Sequence, residues 1–116
     1  LDVGKSINMF QKMDIPCLGV VENMSTHVCE KCGNQSDIFG LGGSARLKEE
    51  YGLELLAKLP LNLAICQQSD LGQPIASLIE NPITPIYDQL ANAVLTQLSA
   101  LSKDYSNLIP PVQILK

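Results

Sequence analysis

Residues 15–43 read IPCLGVVENMSTHVCEKCGNQSDIFGLGG, and this stretch restricts the possible folds more than any other part of the chain. It opens on a nearly continuous apolar run at residues 16–21, PCLGVV, which suits a parallel strand covered on both faces. Gly19 in that run lets a neighbouring backbone approach closely. The stretch then makes a polar excursion without period over residues 25–40, a small hairpin or knuckle carrying Cys29-Glu30-Lys31-Cys32-Gly33. It closes on Gly40-Leu41-Gly42-Gly43, with Ser44 as the expected N-cap of a helix that Gly52 stops. A second short apolar run, LLAKLPL at residues 55–61, follows one helix-sized crossover later. Strand, helix and strand in that order make a parallel, right-handed unit. The expected class is therefore α/β, with parallel strands flanked by helices.

The segments on either side complete that picture. Val3, Ile7, Phe10 and Met13 recur at three- and four-residue spacing, which predicts an amphipathic helix ending before Asp14-Ile15-Pro16. Asn62 is the expected cap of a helix reaching Leu71, and Pro74 blocks its continuation. Thr84 is expected to cap a long helix with Pro85 at its first position. Ile86, Leu90, Ala93, Val94, Gln97, Leu98 and Leu101 form that helix's periodic face. The period ends there, so residues 1–101 read as one folded part and 102–116 as a flexible tail. The chain does not begin with methionine and its first residues are already helical in pattern, as expected of a piece cut from something longer.

Composition narrows the function. The net charge is −4 and the sequence pI about 4.8, against the basic face that nucleic acid or an anionic membrane requires. No apolar run approaches the roughly 20 residues that span a bilayer. No secretory signal is visible either, so a cytoplasmic setting is expected. There, a Cys-x-x-Cys pair means metal or redox chemistry rather than a disulfide. Gly4-Lys5-Ser6 is not a phosphate-binding loop, because that motif needs an earlier glycine and a preceding strand.

Ligands of open parallel sheets gather beyond the strands' carboxyl ends, here at Glu22-Asn23-Met24. The Asn23 amide offers an acceptor and two donors, enough to read a base or to hold a turn. Two residues between Cys29 and Cys32 let both sulfurs turn toward one ion, and Gly33 frees the turn so that amides can face them. A zinc site or an iron–sulfur cluster wants four ligands, and the chain supplies two well-placed ones. His27 is a possible third, while Cys17 and Cys66 are expected to pack in core elements. Two copies about a two-fold axis would supply four thiolates. A zinc knuckle completed elsewhere and a thioredoxin-like redox pair stay open on spacing alone.

Three blocks together resemble one family: Val21-Glu22-Asn23-Met24-Ser25, then Cys29-Glu30-Lys31-Cys32-Gly33, then Ile38-Phe39-Gly40-Leu41-Gly42-Gly43. With Leu59-Pro60-Leu61 and Ser69-Asp70-Leu71-Gly72-Gln73-Pro74-Ile75, they resemble the C-terminal part of the Mrp/ApbC-type iron–sulfur cluster carrier ATPases. The resemblance implies a MinD-like, deviant-Walker P-loop NTPase fold. It implies a homodimer bridged by a 4Fe–4S cluster on Cys29 and Cys32 of each copy, ATP binding with Mg²⁺, and transfer of the cluster to apo iron–sulfur proteins. It puts Asn23 near the adenine and Pro60 and Leu61 at the border of the same base pocket. The phosphate-binding loop and the Mg²⁺-side aspartates belong to the family's N-terminal part, which is not in this sequence. The isolated piece is therefore not expected to hydrolyse ATP, and its first helix and strand are expected to expose an apolar edge. The alternative from another class is a structural zinc-binding interaction module.

Overall fold

The structure, a computed structural model, describes residues 2–101. The tail expected at 102–116 lies outside them. The elements run α1 (Asp2–Lys12), β1 (Val20–Glu22), β2 (His27–Val28), β3 (Gln35–Ser36), α2 (Gly43–Tyr51), β4 (Leu55–Lys58), α3 (Leu63–Asp70), a 3-10 turn (Ile75–Ser77) and α4 (Thr84–Ser99). β1 and β4 pair in parallel, with Val21 opposite Ala57 and Glu22 opposite Lys58. β2 and β3 form a separate antiparallel hairpin. Both α2 and α4 pack on the parallel pair, so the expected α/β class holds.

The first expected strand is shorter than its apolar run. Pairing begins where the Val20 amide donates to the Glu54 carbonyl at 2.8 Å, and residues 16–19 lead in without ladder partners. Pro16 has no amide hydrogen to offer a ladder. The run is also not covered on both faces, because Val21 is exposed. Gly19 does what its residue type suggests: a Cβ there would stand 2.7 Å from the Glu54 carbonyl oxygen and 2.7 Å from the Leu56 side chain. Close approach at that glycine sets the spacing at which β1 meets β4.

The helices largely follow their patterns, with two capping corrections. Gly52 ends α2 at φ 68°, its amide donating to the Lys48 carbonyl, and the Asn62 side chain accepts from the Ala64 amide at 2.8 Å. Ser44, however, does not cap α2. Gly42 occupies that position at φ 89°, and the Ser44 hydroxyl donates instead to Glu22 Oε2 at 2.7 Å. A left-handed cap suits glycine, which has no Cβ to clash. Thr84 likewise lies inside the first turn of α4, after Ile83. Its hydroxyl reaches back to the Leu78 and Ile75 carbonyls at 2.7 and 3.0 Å, while the Asn81 side chain accepts from the Ile83 amide. Long-range partners outbid the local cap in both cases.

The core of the described residues is thin: Ile7, Leu59, Ile75 and Ile83 are its buried apolar side chains. On α1, Ile7 is buried while Val3 and Phe10 are exposed, as is Met13 just past its end, which agrees with the apolar edge expected of α1 and β1. On α4, Ile86, Leu90, Ala93, Val94 and Gln97 are half-buried and Leu98 is exposed. Cys66 departs from its expected core role. It is exposed on α3, its thiol 3.8 Å from the Asp70 carboxylate. Cys17 is half-buried, as a small apolar residue would be.

Candidate functional site

The cysteine hairpin grows directly from the carboxyl end of β1. β2 and β3 are two residues each, so their turn needs outside support; an isolated hairpin is marginal in water. The Cys29 amide donates to the Asn34 carbonyl at 2.9 Å and the Gly33 amide to the Cys29 carbonyl at 2.8 Å. Gly33 takes φ 69°, the left-handed conformation that lets the chain turn back. The amides of Lys31 and Cys32 then point at the Cys29 sulfur. Those amides, led by that of Cys32 and joined by the Cys32 thiol, hold the Cys29 thiol below its ordinary range, because each donor favours the thiolate. Cys29 is half-buried and Cys32 exposed. Thiolate with amide donors around it is the state a soft metal or cluster iron binds.

Among the described residues the pair stands without a third ligand: no group of three or more His, Cys, Asp or Glu side chains suited to a metal occurs there. His27 is not turned to a shared ion. Its Nδ1 lies 3.3 Å from the Leu61 carbonyl oxygen, a contact that requires Nδ1 to carry the proton, since a carbonyl can only accept.

The base of the hairpin is stitched to the segment after β4. The Leu59 amide donates to the Glu22 carbonyl at 2.8 Å, and the Ser25 amide donates to the Leu59 carbonyl at 2.9 Å. Ser25 Oγ donates to that same carbonyl at 3.0 Å, and the residue is 8% exposed. The Leu61 amide then donates to the Thr26 carbonyl at 2.9 Å, and His27 makes a parallel bridge with Leu61. Thr26 also braces the far side, donating to the Asp37 carboxylate at 2.8 Å. The ladder between β1 and β4 therefore continues past both strands and carries the cysteines with it.

Asn23 lies between the bonds that Glu22 and Ser25 make to Leu59, and Pro60 and Leu61 follow Leu59 on the other segment, so all three stand at this end of the parallel pair, although the groove that Asn23 borders is lined by neither Pro60 nor Leu61. Asn23 is exposed and its Oδ1 accepts from the Met24 amide at 2.8 Å. Met24 has φ 52°, uncommon for a residue with a side chain. Asn23, Met24, Phe39, Leu41 and Ser44 border an open groove of about 410 Å³. Phe39 and Leu41 are largely exposed there. Sequence reasoning singled out the two cysteines, Asn23, Pro60 and Leu61, but missed Ser25, Thr26 and the strained Met24. The one local signal for Ser25 is a small hydroxyl residue directly after a strand end.

Known proteins resemble this chain over most of its length. The family model described as ParA, NUBPL iron-transfer P-loop NTPase, matches residues 1–95. Iron–sulfur cluster carrier proteins are 44% identical over 99 residues in Escherichia coli K12 and 49% over 92 residues in Pseudomonas fragi. The one from Pyrococcus abyssi is 40% identical over 104 residues. These alignments cover 84%, 78% and 90% of this chain but 27%, 32% and 35% of the relatives, so the chain spans about a third of their length. A solved nucleotide-binding protein from Archaeoglobus fulgidus, in complex with ADP and with cobalt found by PIXE, superposes with a TM-score of 0.53 at 34% identity. It covers 61% of this chain and 29% of its own.

Proposed function

This chain belongs to the NUBPL family of iron-transfer P-loop NTPases, and from that premise we propose that it is the C-terminal part of an iron–sulfur cluster carrier. Cys29 and Cys32 hold the cargo. One chain supplies two thiolates, so a 4Fe–4S cluster takes four from two chains, and the carrier works as a homodimer joined through the hairpins. The observation that carries this reading is the Cys29 sulfur faced by backbone amides in a hairpin with no third ligand among the described residues. A site closed for structural zinc would bring four ligands of its own.

Asn23, Pro60 and Leu61 border the base of a bound nucleotide. Their common position beyond the carboxyl ends of two parallel strands supports this, as does a relative solved with ADP. ATP with Mg²⁺ is bound in the whole protein, whose phosphate-binding loop lies in the part these residues do not include. Its acceptors are apo iron–sulfur proteins of the cytoplasm, and the exposed Cys32 is the side from which an acceptor's thiolate can replace a ligand. No helix among the described residues is long and apolar enough to cross a membrane.

Anaerobic reconstitution with iron and sulfide tests the reading. The expected result is broad visible absorption and about two irons per chain, one four-iron cluster for every two chains. Cys32→Ser is expected to lose both while the far-ultraviolet circular dichroism is kept. Unchanged iron in that variant would remove the cysteines from the site. About one zinc per dimer in place of iron would favour the zinc module.

A further inference from the structure

We infer that Thr26 and Asp37 are positioning residues for the cargo: the hydrogen bond between them clasps the open end of the cysteine hairpin and sets how firmly the thiols hold a cluster. The inference rests on the reading that Cys29 and Cys32 bind that cluster.

The hairpin has one anchored arm and one hanging arm. The arm that enters β2 is tied to the segment after β4 at three successive residues. Ser25 gives its amide and hydroxyl to the Leu59 carbonyl, Thr26 accepts from the Leu61 amide at 2.9 Å, and His27 Nδ1 meets the Leu61 carbonyl. The returning arm has no such ties. Gln35 and Ser36 are exposed, and among the described residues no hydrogen bond links either of them to an element other than β2. Exposed strands of two residues fray readily.

The clasp sits where fraying would begin. His27 pairs with Ser36 and Val28 with Gln35, so one further step in that register sets Thr26 opposite Asp37. The backbone ladder cannot continue beyond them, because the Ser25 amide that would make the next rung already goes to Leu59. A side-chain bond takes over: Thr26 Oγ1 donates to Asp37 Oδ1 at 2.8 Å. Its acceptor is a carboxylate, which makes a stronger bond than a neutral oxygen.

The far end of β3 reaches the thiols. The Cys29 amide donates to the Asn34 carbonyl at 2.9 Å, and Asn34 leads directly into β3. When β3 peels from β2, that carbonyl goes with it, and the turn carrying Cys32 loosens from Cys29. A pair of ligands already held in place binds more tightly than one that must first be ordered. Thr26 and Asp37 thus act on the cargo through β3 and Asn34.

The test uses the full-length protein, reconstituted anaerobically with iron and sulfide, and follows the decay of visible absorption after an excess of ferrous chelator is added. Thr26→Val keeps the side chain's shape without its donor and is expected to lose the cluster about 5-fold faster than the wild type. Thr26→Ser keeps the hydroxyl and is expected to stay within about twofold. Asp37→Ala should match Thr26→Val, and the double variant should be no faster than either, since all three lose the same bond. In cluster-free protein, amide exchange over residues 27–37 should quicken in Thr26→Val, while residues 55–58 keep their wild-type rate. Should Thr26→Val not fold, Asp37→Ala removes the same bond from its exposed side. Wild-type decay in the folded variant, an equal loss in Thr26→Ser, or exchange that quickens equally at residues 55–58 overturns the inference alone. A wild type that takes up no iron through Cys29 and Cys32 overturns the underlying reading and the inference with it.

Discussion

Replacing Gly19 by alanine tests how closely β1 must approach β4. The added Cβ would stand 2.7 Å from the Glu54 carbonyl oxygen and 2.7 and 2.8 Å from two carbons of the Leu56 side chain. Leu56 can turn aside, but the Glu54 carbonyl is backbone and accepts from the Val20 amide at 2.8 Å. To reach ordinary van der Waals distance the strands must part by several tenths of an ångström at the first rung of their ladder. Overpacking of this kind costs about 1–3 kcal/mol, and weakening the Val20 bond adds about 1 kcal/mol. The expected loss is thus about 2–4 kcal/mol, which at about 4–8 °C per kcal/mol for a domain of this size lowers the melting temperature by roughly 8–32 °C. Gly43→Ala is the matched control. It opens α2, has no positive φ and would meet no atom within 4 Å, so it is expected to be neutral or to gain up to about 1 kcal/mol. Urea unfolding of both variants, followed by circular dichroism, gives the comparison. If Gly19→Ala unfolds within about 0.5 kcal/mol of the wild type, the close approach does not set the sheet and the reasoning fails.

Two further outcomes are expected. Donors around Cys29 favour its thiolate, so it should stay reactive to lower pH than an ordinary cysteine, and the midpoint of its iodoacetamide rate against pH should lie below the usual thiol range. Cys32→Ala removes one of those donors but keeps the amides of residues 31 and 32, so it should raise that midpoint only part of the way; a midpoint already at the ordinary value in the wild type would contradict the amide geometry. Thr84→Val removes the hydroxyl bonds to the Leu78 and Ile75 carbonyls and should destabilise by about 1–2 kcal/mol in urea unfolding, with an unchanged melt counting against a role for Thr84 in holding the 3-10 turn to α4.

The cysteine pair, the glycine that turns it and the end of β1 were all legible in local order, because each depends on residues a few positions apart. The same holds for Asn62 and Gly52, whose capping bonds close within four residues. Ser44 and Thr84 misled for the opposite reason. Each is a good cap by type, and each spends its hydroxyl on a partner farther along the chain: Glu22, 22 residues from Ser44, and Leu78 and Ile75, six and nine from Thr84. Cys66 shows the same limit, since apolar neighbours in sequence did not determine which side of α3 meets solvent.

Residue order alone thus specified an α/β chain with a two-thiol turn beyond a parallel strand, and the match over residues 1–95 agrees with it. Only tertiary structure decided that the turn is anchored through Ser25 and His27 to Leu59 and Leu61, each 34 residues away. Spacing along a chain encodes which face or turn a side chain occupies. Which distant carbonyl it then meets depends on how the strands align once the chain has closed on itself, and no local pattern carries that register.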